Sequence, residues 1–226
     1  MKQQQEKSRS PFAKAIRNFF KSGVATAGAV ILTLVVLMAI FADVLAPFDP
    51  NGINIVDRLS PPFSEKNGVY HVLGTDALGR DILSRIIYGS RISLLIGVCA
   101  VCVGALVGVT FGLLSGFKGG AWDNVIMRIT DVQLAIPFLI LALAVIAILG
   151  NGLVNVVMVI GLTSWMLYAR TVRAEVMSIK NQDFVLMAKA MGVSETKIML
   201  RHILPNCVPS LIVLFTLNIP SAILSE

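Results

Sequence analysis

Two aspartates, Asp76 and Asp81, are the first side chains in this 226-residue chain to consider for acid–base chemistry. They lie in the run G-T-D-A-L-G-R-D-I-L-S-R, and each is followed four residues later by an arginine, Arg80 or Arg85. A guanidinium at that spacing holds a carboxylate ionised. The pattern therefore favours two ion pairs on the face of a helix over a catalytic pair of carboxyl groups.

The other reactive residue types give no sign of a catalytic or metal site. Cys99 and Cys102 form a C-x-x-C inside an apolar run with no other Cys or His near them in sequence, which predicts small lipid- or core-facing side chains. The two histidines, His71 and His202, lie outside the apolar runs. The order G-x-x-x-x-G-K-[ST], which cradles a nucleotide phosphate, is absent from the sequence. We expect no metal site, no cofactor and no ATP hydrolysis by this chain.

The elements that position these residues are apolar helices. The composition is 56% hydrophobic and 14% charged, with a mean hydropathy of +0.81, far more apolar than a soluble domain. Each of five apolar runs is close to the ~20 residues that a spanning helix needs: 24–46, 92–117, 132–150, 151–169 and 207–225. The chain is predicted to be an all-α, polytopic membrane protein with five spans embedded in a lipid bilayer. It is not expected to bind nucleic acid.

Lysine and arginine cluster on one predicted side of the membrane. Six precede the first span, which is too long for the apolar core of a signal peptide, and six lie between the fourth and fifth spans. By the positive-inside rule, the N-terminus and the segment 183–206 are cytoplasmic, and 47–91 faces outward. The basic N-terminal stretch carries apolar residues on one side and is either a helix along the inner leaflet or a passive orientation signal: Phe12, Ile16, Phe19 and Phe20.

The segment 183–206, called the polar segment below, is too charged to cross a bilayer. Its apolar residues recur at intervals of three and four and predict a helix: Phe184, Met187, Ala188 and Met191. Gly192 ends that helix, Ser194 caps a second one, and Pro205 limits its continuation. Residue pattern alone leaves two readings open, an ordinary interfacial connection or a rigid element that contacts a soluble partner.

The segment 74–85, called the signature segment below, leads into the second span. Thr75 or Asp76 is predicted to cap its helix.

The second span carries the G-x-x-x-G steps Gly104–Gly108 and Gly108–Gly112, which favour close packing within the chain over a dimerisation seam. Several polar residues at membrane depth either line a pathway or pack within helices: Asn155, Thr163, Ser164, Thr216 and Asn218.

Two motifs resemble one family. A-x-A-M-G followed by I-L-P-N resembles the cytoplasmic EAA loop of ABC-importer permeases, although Leu186, Met187 and His202 depart from its pattern. G-T-D-x-x-G-R-D-x-x-S-R followed by Y-G-S-R-I-S-L resembles the periplasmic signature of permeases from bacterial peptide and nickel ABC importers, in the type with a short outer loop. The signature positions are Gly74, Thr75, Asp76, Gly79, Arg80, Asp81, Ser84 and Arg85.

The resemblance implies a type I ABC-importer transmembrane domain at 92–226, preceded by an N-terminal cytoplasmic segment, first span and periplasmic segment at 1–91. The implied partners are a second permease, two cytoplasmic ATPases that bind the ATP, and an extracytoplasmic solute-binding protein, in the bacterial inner membrane. The residues implied to couple to the ATPase are Phe184, Ala188, Ala190, Met191, Gly192, Ile198, Leu204 and Pro205.

The implied function is ATP-driven import of di- or oligopeptides by alternating access, with nickel or another small solute as the alternative. Family members continue past S-A-I-L-S-E with a sixth span, so the resemblance implies truncation at Glu226. A secondary transporter is disfavoured because it would usually carry ionisable residues at mid-span. A membrane-embedded enzyme is disfavoured because His71 and His202 fall on opposite predicted sides of the membrane.

Overall fold

The computed structural model describes residues 19–66, 68–150 and 152–225. The predicted N-terminal amphipathic stretch around Phe12 and Ile16, and the single residues Asn67, Asn151 and Glu226, lie outside these residues. By contact density the chain divides into two compact units, one ending at Leu94 and the other beginning at Leu95. Each unit is described by itself.

Helices make up most of the described chain, which confirms the all-α prediction. In chain order they are α1 (Gly23–Ile40), α2 (Ala42–Leu45), α3 (Ile82–Lys118), α4 (Gly120–Leu134), α5 (Phe138–Leu149), α6 (Leu153–Ile179), α7 (Asp183–Ala190), α8 (Glu195–Ile198) and α9 (Leu204–Leu224). Before α3 lie a 3₁₀ turn (Ile55–Asp57) and an unpredicted antiparallel hairpin of β1 (Ser64–Lys66) and β2 (Val69–His71), in which Glu65 pairs with Tyr70.

Within the described residues, four helices are long and apolar enough to cross a membrane: α1, α3, α6 and the continuous helix Glu195–Leu224. The pair α4 and α5, bent by 90° at a short break, brings the number of candidate spans to 5 if it counts as one. These helices confirm a multi-pass membrane protein.

The third predicted span, 132–150, is wrong as a straight helix. The chain breaks at Ala135–Pro137, and α5 has only 12 residues, about 18 Å of helix against the ~30 Å hydrocarbon core. Pro137 lacks an N–H and restricts the residue before it, so the helix ends and a second one begins in a new direction. An apolar run read by composition alone does not reveal this break.

Pro205 does not limit the helix before it, contrary to the prediction. A π-helical turn, Met199–Ile203, joins α8 to α9, and the Leu204 N–H donates to the Met199 carbonyl five residues back. Pro205 follows this turn after a single residue, so the wider spacing falls where a proline would disrupt a regular ladder of i→i−4 hydrogen bonds. The wider turn lets one helix run from Glu195 to Leu224 through the proline.

The glycine stripe of α3 packs against α6 within the second unit. A Cβ on Gly108 would lie 2.3 Å from the Trp165 carbonyl oxygen, and one on Gly112 would lie 2.7 Å from that of Ala169. Tyr168 is fully buried beside this contact. The G-x-x-x-G steps thus serve close packing within the chain, as predicted.

Candidate coupling surface, signature segment and polar cavity

The polar segment folds as two helices joined at a glycine, as its sequence predicts. Helix α7 ends where Gly192 takes φ +75°, a left-handed conformation that costs glycine no steric penalty. The Gly192 N–H donates to the Lys189 carbonyl at 3.0 Å and the Val193 N–H to the Ala188 carbonyl at 3.1 Å. These bonds satisfy carbonyls at the helix end and turn the chain into α8.

The buried face of the polar segment is not the predicted apolar stripe. Val185 and Ile198 are fully buried and Ala188 nearly so, whereas Met187 and Met191 are 62% and 82% exposed. Ala188 and Ile198, predicted to contact a partner, instead pack in the protein's own core. The Lys189 ammonium also lies 4.8 Å from the centre of the Phe117 ring, which holds α7 against the end of α3.

The other predicted coupling residues are on or near the surface. Phe184, Ala190, Met191, Gly192 and Pro205 are exposed, and Leu204 is half-buried against the core. Sequence reasoning missed Leu186 and Leu200, which are also exposed apolar side chains. Leu186 had a signal, since it replaces the Glu of the general EAA pattern with an apolar residue. Ser194 is the residue before α8, but its side chain makes no capping hydrogen bond.

The two glycines of the signature segment sit against backbone. Gly74 and Gly79 have φ +76° and +75°. A Cβ on Gly74 would lie 2.3 Å from the Ser60 carbonyl oxygen, and one on Gly79 would lie 1.6 Å from that of Asn54. Both positions therefore require glycine twice over, for backbone conformation and for space.

Asp76 organises a tight turn before α3. Its Oδ1 accepts from the Leu78 and Arg80 N–H groups at 2.8 and 3.0 Å, and its Oδ2 accepts from Arg80 Nε at 2.8 Å and Arg85 at 2.6 Å. Desolvation acts to raise the pKa of Asp76, but the backbone N–H bonds and the Arg80 guanidinium outweigh it and lower that pKa to about 2. Asp76 is an ionised structural group.

Asp81, rather than Thr75 or Asp76, caps α3, which corrects the predicted helix start. Its Oδ2 accepts from the Ser84 N–H and hydroxyl, both at 2.8 Å, and its Oδ1 is 2.9 Å from His71 Nδ1. The predicted Asp81–Arg85 pair is wrong because helix α3 begins only at Ile82 and Arg85 reaches back to Asp76. A capping carboxylate faces the helix N-terminus, away from the residue one turn on.

The remaining signature side chains connect the segment to the chain before it. Thr75 Oγ1 accepts from the Ser60 N–H at 2.9 Å and donates to the Asp57 carbonyl. The Ser84 hydroxyl accepts from the Phe48 N–H at 3.1 Å, and Ser84 is 0% exposed. The polar groups of the signature segment thus bind within this unit.

A cavity of ≈ 390 Å³, called the polar cavity below for the polar side chains set among its mainly apolar lining, lies within the second unit. It receives three of the five predicted pathway residues, Thr163, Ser164 and Asn218. Among the described residues that line it, none is charged; polar ones that the sequence reasoning missed are Gln133, Ser221 and Ser225. The other two predicted residues lie elsewhere: Asn155 donates to the Leu149 and Gly150 carbonyls at the end of α5, and Thr216 is exposed.

Gln133 fixes the broken helix pair beside the cavity. Its Nε2 donates to the Leu162 carbonyl at 2.6 Å, and its Oε1 accepts from Trp165 Nε1 at 2.9 Å. The available signal was this amide near the start of the apolar run 132–150, four residues before Pro137. Thr163 and Ser164 donate to carbonyls of their own helix, so their hydroxyl oxygens can still accept from a solute.

The cysteine pair stands apart from any ligand cluster. Cys99 and Cys102 are exposed on α3. Across residues 19–66, 68–150 and 152–225 no group of three or more His, Cys, Asp or Glu side chains is placed to hold a metal ion.

Comparison with known proteins covers both units. Residues 108–226 match the family described as binding-protein-dependent transport system inner membrane component, and residues 10–62 match the N-terminal transmembrane domain of oligopeptide transport permease C.

Full-length relatives agree with these family matches. An oligopeptide transport system permease protein of Bacillus subtilis is 37% identical over 221 residues, 98% of this chain and 71% of the relative. A glutathione transport system permease protein of Pectobacterium atrosepticum is 40% identical over 217 residues (96% and 71%). A di/tripeptide transport system permease protein of Pseudomonas aeruginosa is 41% identical over 216 residues (95% and 71%). The chain therefore belongs to the binding-protein-dependent transport system inner membrane components, as a permease of the oligopeptide permease C type.

Proposed function

We propose that this permease forms part of the pathway of an ATP-driven importer for di- or oligopeptides or related small solutes. The relatives named for oligopeptide, di/tripeptide and glutathione transport support this substrate class. The observation that carries the coupling mechanism is the set of exposed apolar side chains on α7, at Met191 and at Leu200, in a segment otherwise too polar for lipid.

The coupling surface consists of the exposed apolar residues of the polar segment: Phe184, Leu186, Met187, Met191 and Leu200. Exposed apolar groups of this kind mark contact sites for other proteins. Methionine is flexible and polarisable, which suits a contact that must persist while the partner changes shape. The buried face, with Val185 and Ile198, attaches the surface firmly to the permease. The ATPase subunit is the proposed partner.

The wider assembly follows from the same proposal. The permease pairs with a second, similar permease, two cytoplasmic ATPases and an extracytoplasmic solute-binding protein in the bacterial inner membrane, with its N-terminus in the cytoplasm. Residues 1–91 supply the first span and outer segment and 92–226 the transport domain. ATP binds to the partner subunits, and this chain performs no catalysis. The absence of a phosphate-binding loop from its sequence supports that division.

The polar cavity is proposed as part of the pathway. A neutral lining with hydroxyl and amide groups suits peptide bonds, which carry donors and acceptors but no charge. ATP-driven closure of the ATPases would move the polar segment and rearrange the spans around this space.

Charge at the coupling surface tests the proposal. Met187→Glu and Met191→Glu should insert normally, because both side chains are exposed, but should reduce co-purified ATPase and peptide uptake by about tenfold or more. The matched control is Met177→Glu, which changes an exposed methionine near the end of α6. This variant should keep normal levels of co-purified ATPase and of peptide uptake. Retention of ATPase and uptake by the Met187 and Met191 variants would refute the coupling role.

A further inference from the structure

One side of α4 is an apolar stripe that the described part of the chain leaves uncovered. Its side chains recur at intervals of three and four residues, so they share one face of the helix. Each of them is more than half exposed: Trp122, Val125, Ile129 and Val132. Neither the coupling surface nor the polar cavity includes any of them. This face is called the α4 stripe below.

Ion pairs hold the other side of α4 against α6. The Arg173 guanidinium donates to both carboxylate oxygens of Asp123, at 2.5 and 2.6 Å, and Arg170 pairs with Asp131 at 2.5 Å. Bidentate contacts between arginine and a carboxylate are strong and directional. The helix therefore cannot rotate its stripe toward the core without breaking these pairs, and the stripe is left to a ligand from outside the described chain.

The α4 stripe runs from the polar end of its helix bundle toward the apolar middle. Near the start of α4, Asp123 contacts Arg173, whereas at its end Gln133 contacts Leu162 in the first half of α6. All charged residues of α6 lie in its second half. Trp122 thus lies at the level where headgroups give way to acyl chains, which is where tryptophan is enriched, and the rest of the stripe lies deeper.

Two exposed cations flank the α4 stripe. Lys118 precedes α4, and its ammonium lies 5.4 Å from the centre of the Trp122 ring. Arg128 is an exposed residue of α4 itself. Neither cation forms an ion pair with a carboxylate of residues 19–66, 68–150 and 152–225, and both carboxylates of α4 are engaged by α6. The exposed side of α4 therefore carries positive charge that its own unit does not balance.

Charge and apolar surface together select among the possible occupants. A neutral apolar helix could cover the stripe but would leave Lys118 and Arg128 unbalanced, and a zwitterionic lipid adds no net negative charge. An acidic soluble protein could balance the cations, yet the stripe continues past Arg128 to Val132, toward the apolar middle of the bundle. An anionic phospholipid meets both demands, because it combines acyl chains with a negatively charged headgroup.

We propose that α4 binds an anionic phospholipid, whose acyl chains lie along the α4 stripe and whose phosphate lies beside Lys118 and Arg128. The site would be on the same side of the membrane as the polar segment, since the Lys189 ammonium of that segment contacts the Phe117 ring next to Lys118. The inference goes beyond transport, and binding requires neither ATPase nor substrate.

Tryptophan fluorescence of the full chain in reconstituted bilayers tests this proposal. The chain has 2 tryptophans, so Trp165→Phe leaves Trp122 as the only reporter. The bilayers have one fixed composition of phosphatidylglycerol and phosphatidylcholine, with bromine on the acyl chains of either one or the other. Per molecule, brominated phosphatidylglycerol should quench Trp122 about threefold or more strongly, and this preference should weaken as salt is added.

Charge variants identify the residues responsible for the preference. The double variant Lys118→Gln with Arg128→Gln should bring the quenching ratio of the two lipids to about one, because no unbalanced cation then remains beside the stripe. Lys197→Gln is the matched control, since it removes an exposed cation of the polar segment, and it should leave the ratio unchanged.

Photo-crosslinking in the assembled transporter is an independent test that keeps both tryptophans. Benzoylphenylalanine in place of Ile129 should capture phospholipid, and in place of Met187 it should capture the ATPase. A quenching ratio near one for Trp122, a ratio that survives the double variant, or capture of another subunit at Ile129 would overturn the lipid site. Failure to capture the ATPase at Met187 would count against the proposed function alone.

Discussion

Gly79 in the signature segment and Gly192 in the polar segment have the same backbone conformation, φ +75°, in opposite surroundings. A Cβ on Gly79 would meet the Asn54 carbonyl at 1.6 Å, whereas one on Gly192 would meet nothing within 4 Å. The first glycine is required by the packing of its own chain. The second is required only by the turn, so a side chain there would intrude on whatever binds from outside.

The same contrast holds for the side chains around the two glycines. In the signature segment, Thr75, Asp76 and Asp81 direct their hydrogen bonds to neighbours in the same unit. In the polar segment, Met187 and Met191 extend into solvent. Two equally recognisable sequence patterns thus have different physical bases. One specifies a self-supporting structure, and the other presents a surface.

The largest expected effect is on Gly79. Gly79→Ala should destabilise the signature segment by about 3–5 kcal/mol, because the methyl group cannot be placed without moving backbone. The measurement is protease resistance of the segment and the yield of folded protein. Gly68→Ala is the matched control, with φ +76° and open space, and should cost only about 1–2 kcal/mol. If Gly79→Ala and Gly68→Ala lost the same stability, close packing around Gly79 would not be the reason that this position requires glycine.

A substitution at Gly192 is expected to lower stability less than one at Gly79 but to reduce transport strongly. Gly192→Val should leave insertion intact while reducing co-purified ATPase by about tenfold or more and abolishing uptake. Gly150→Val, with φ +78° and equally open space, carries the same backbone penalty away from the polar segment. If both variants transport normally, the polar segment is an ordinary interfacial connection.

The proposed sidedness of the two segments can be tested with single cysteines. In a background lacking Cys99, Cys102 and Cys207, cysteines at Glu65 and Lys197 should react with an impermeant reagent from opposite sides, since both positions are exposed. A cysteine at Ser84 should react only slowly from either side, because that position is fully buried. Labelling of Glu65 and Lys197 positions from one side would contradict the proposed topology.

The smallest expected effect is a pH dependence confined to the signature segment. Asp76 titrates at about 2 in the folded chain against an ordinary value of 3.8, so its ionised form favours folding. Its stabilisation is complete above about pH 4 and is lost as the pH falls toward 2. Asp76→Asn should be cleaved faster than wild type at pH 5 and equally at pH 2, measured as proteolysis within the segment with an acid-active protease. A difference that persists at pH 2 would show that the carboxylate charge is not the cause.

Local patterns predicted much of this structure. Four of the five apolar runs correspond to candidate spans among the described residues, and the apolar periodicity with Gly192 predicted the helix–turn–helix of the polar segment. The small-residue steps of α3 gave its close packing. Each of these features depends on residues within a few turns of one another, or on a property of one helix face.

The features that the sequence did not predict are decided by contacts between residues that are far apart in the chain. Asp81 had Arg85 one turn away, yet it pairs with His71, which a hairpin brings back from ten residues earlier. Ala188 and Phe184 belong to one apolar stripe, and only the neighbouring helices decide that Ala188 is buried and Phe184 is exposed. Likewise, Asn155 and Thr163 are equally polar, and only the path of α5 and α6 decides which of them reaches the cavity.

The π-helical turn at Met199–Ile203 has a mechanical consequence. Because that turn carries the helix through Pro205, the 30 residues from Glu195 to Leu224 form one rod about 45 Å long. Leu200 near one end of the rod belongs to the proposed coupling surface, and Asn218 and Ser221 near the other end line the polar cavity. A displacement of the Glu195 end would therefore reach the cavity wall along one continuous helix, although Pro209 and Pro220 each remove a backbone hydrogen bond from it.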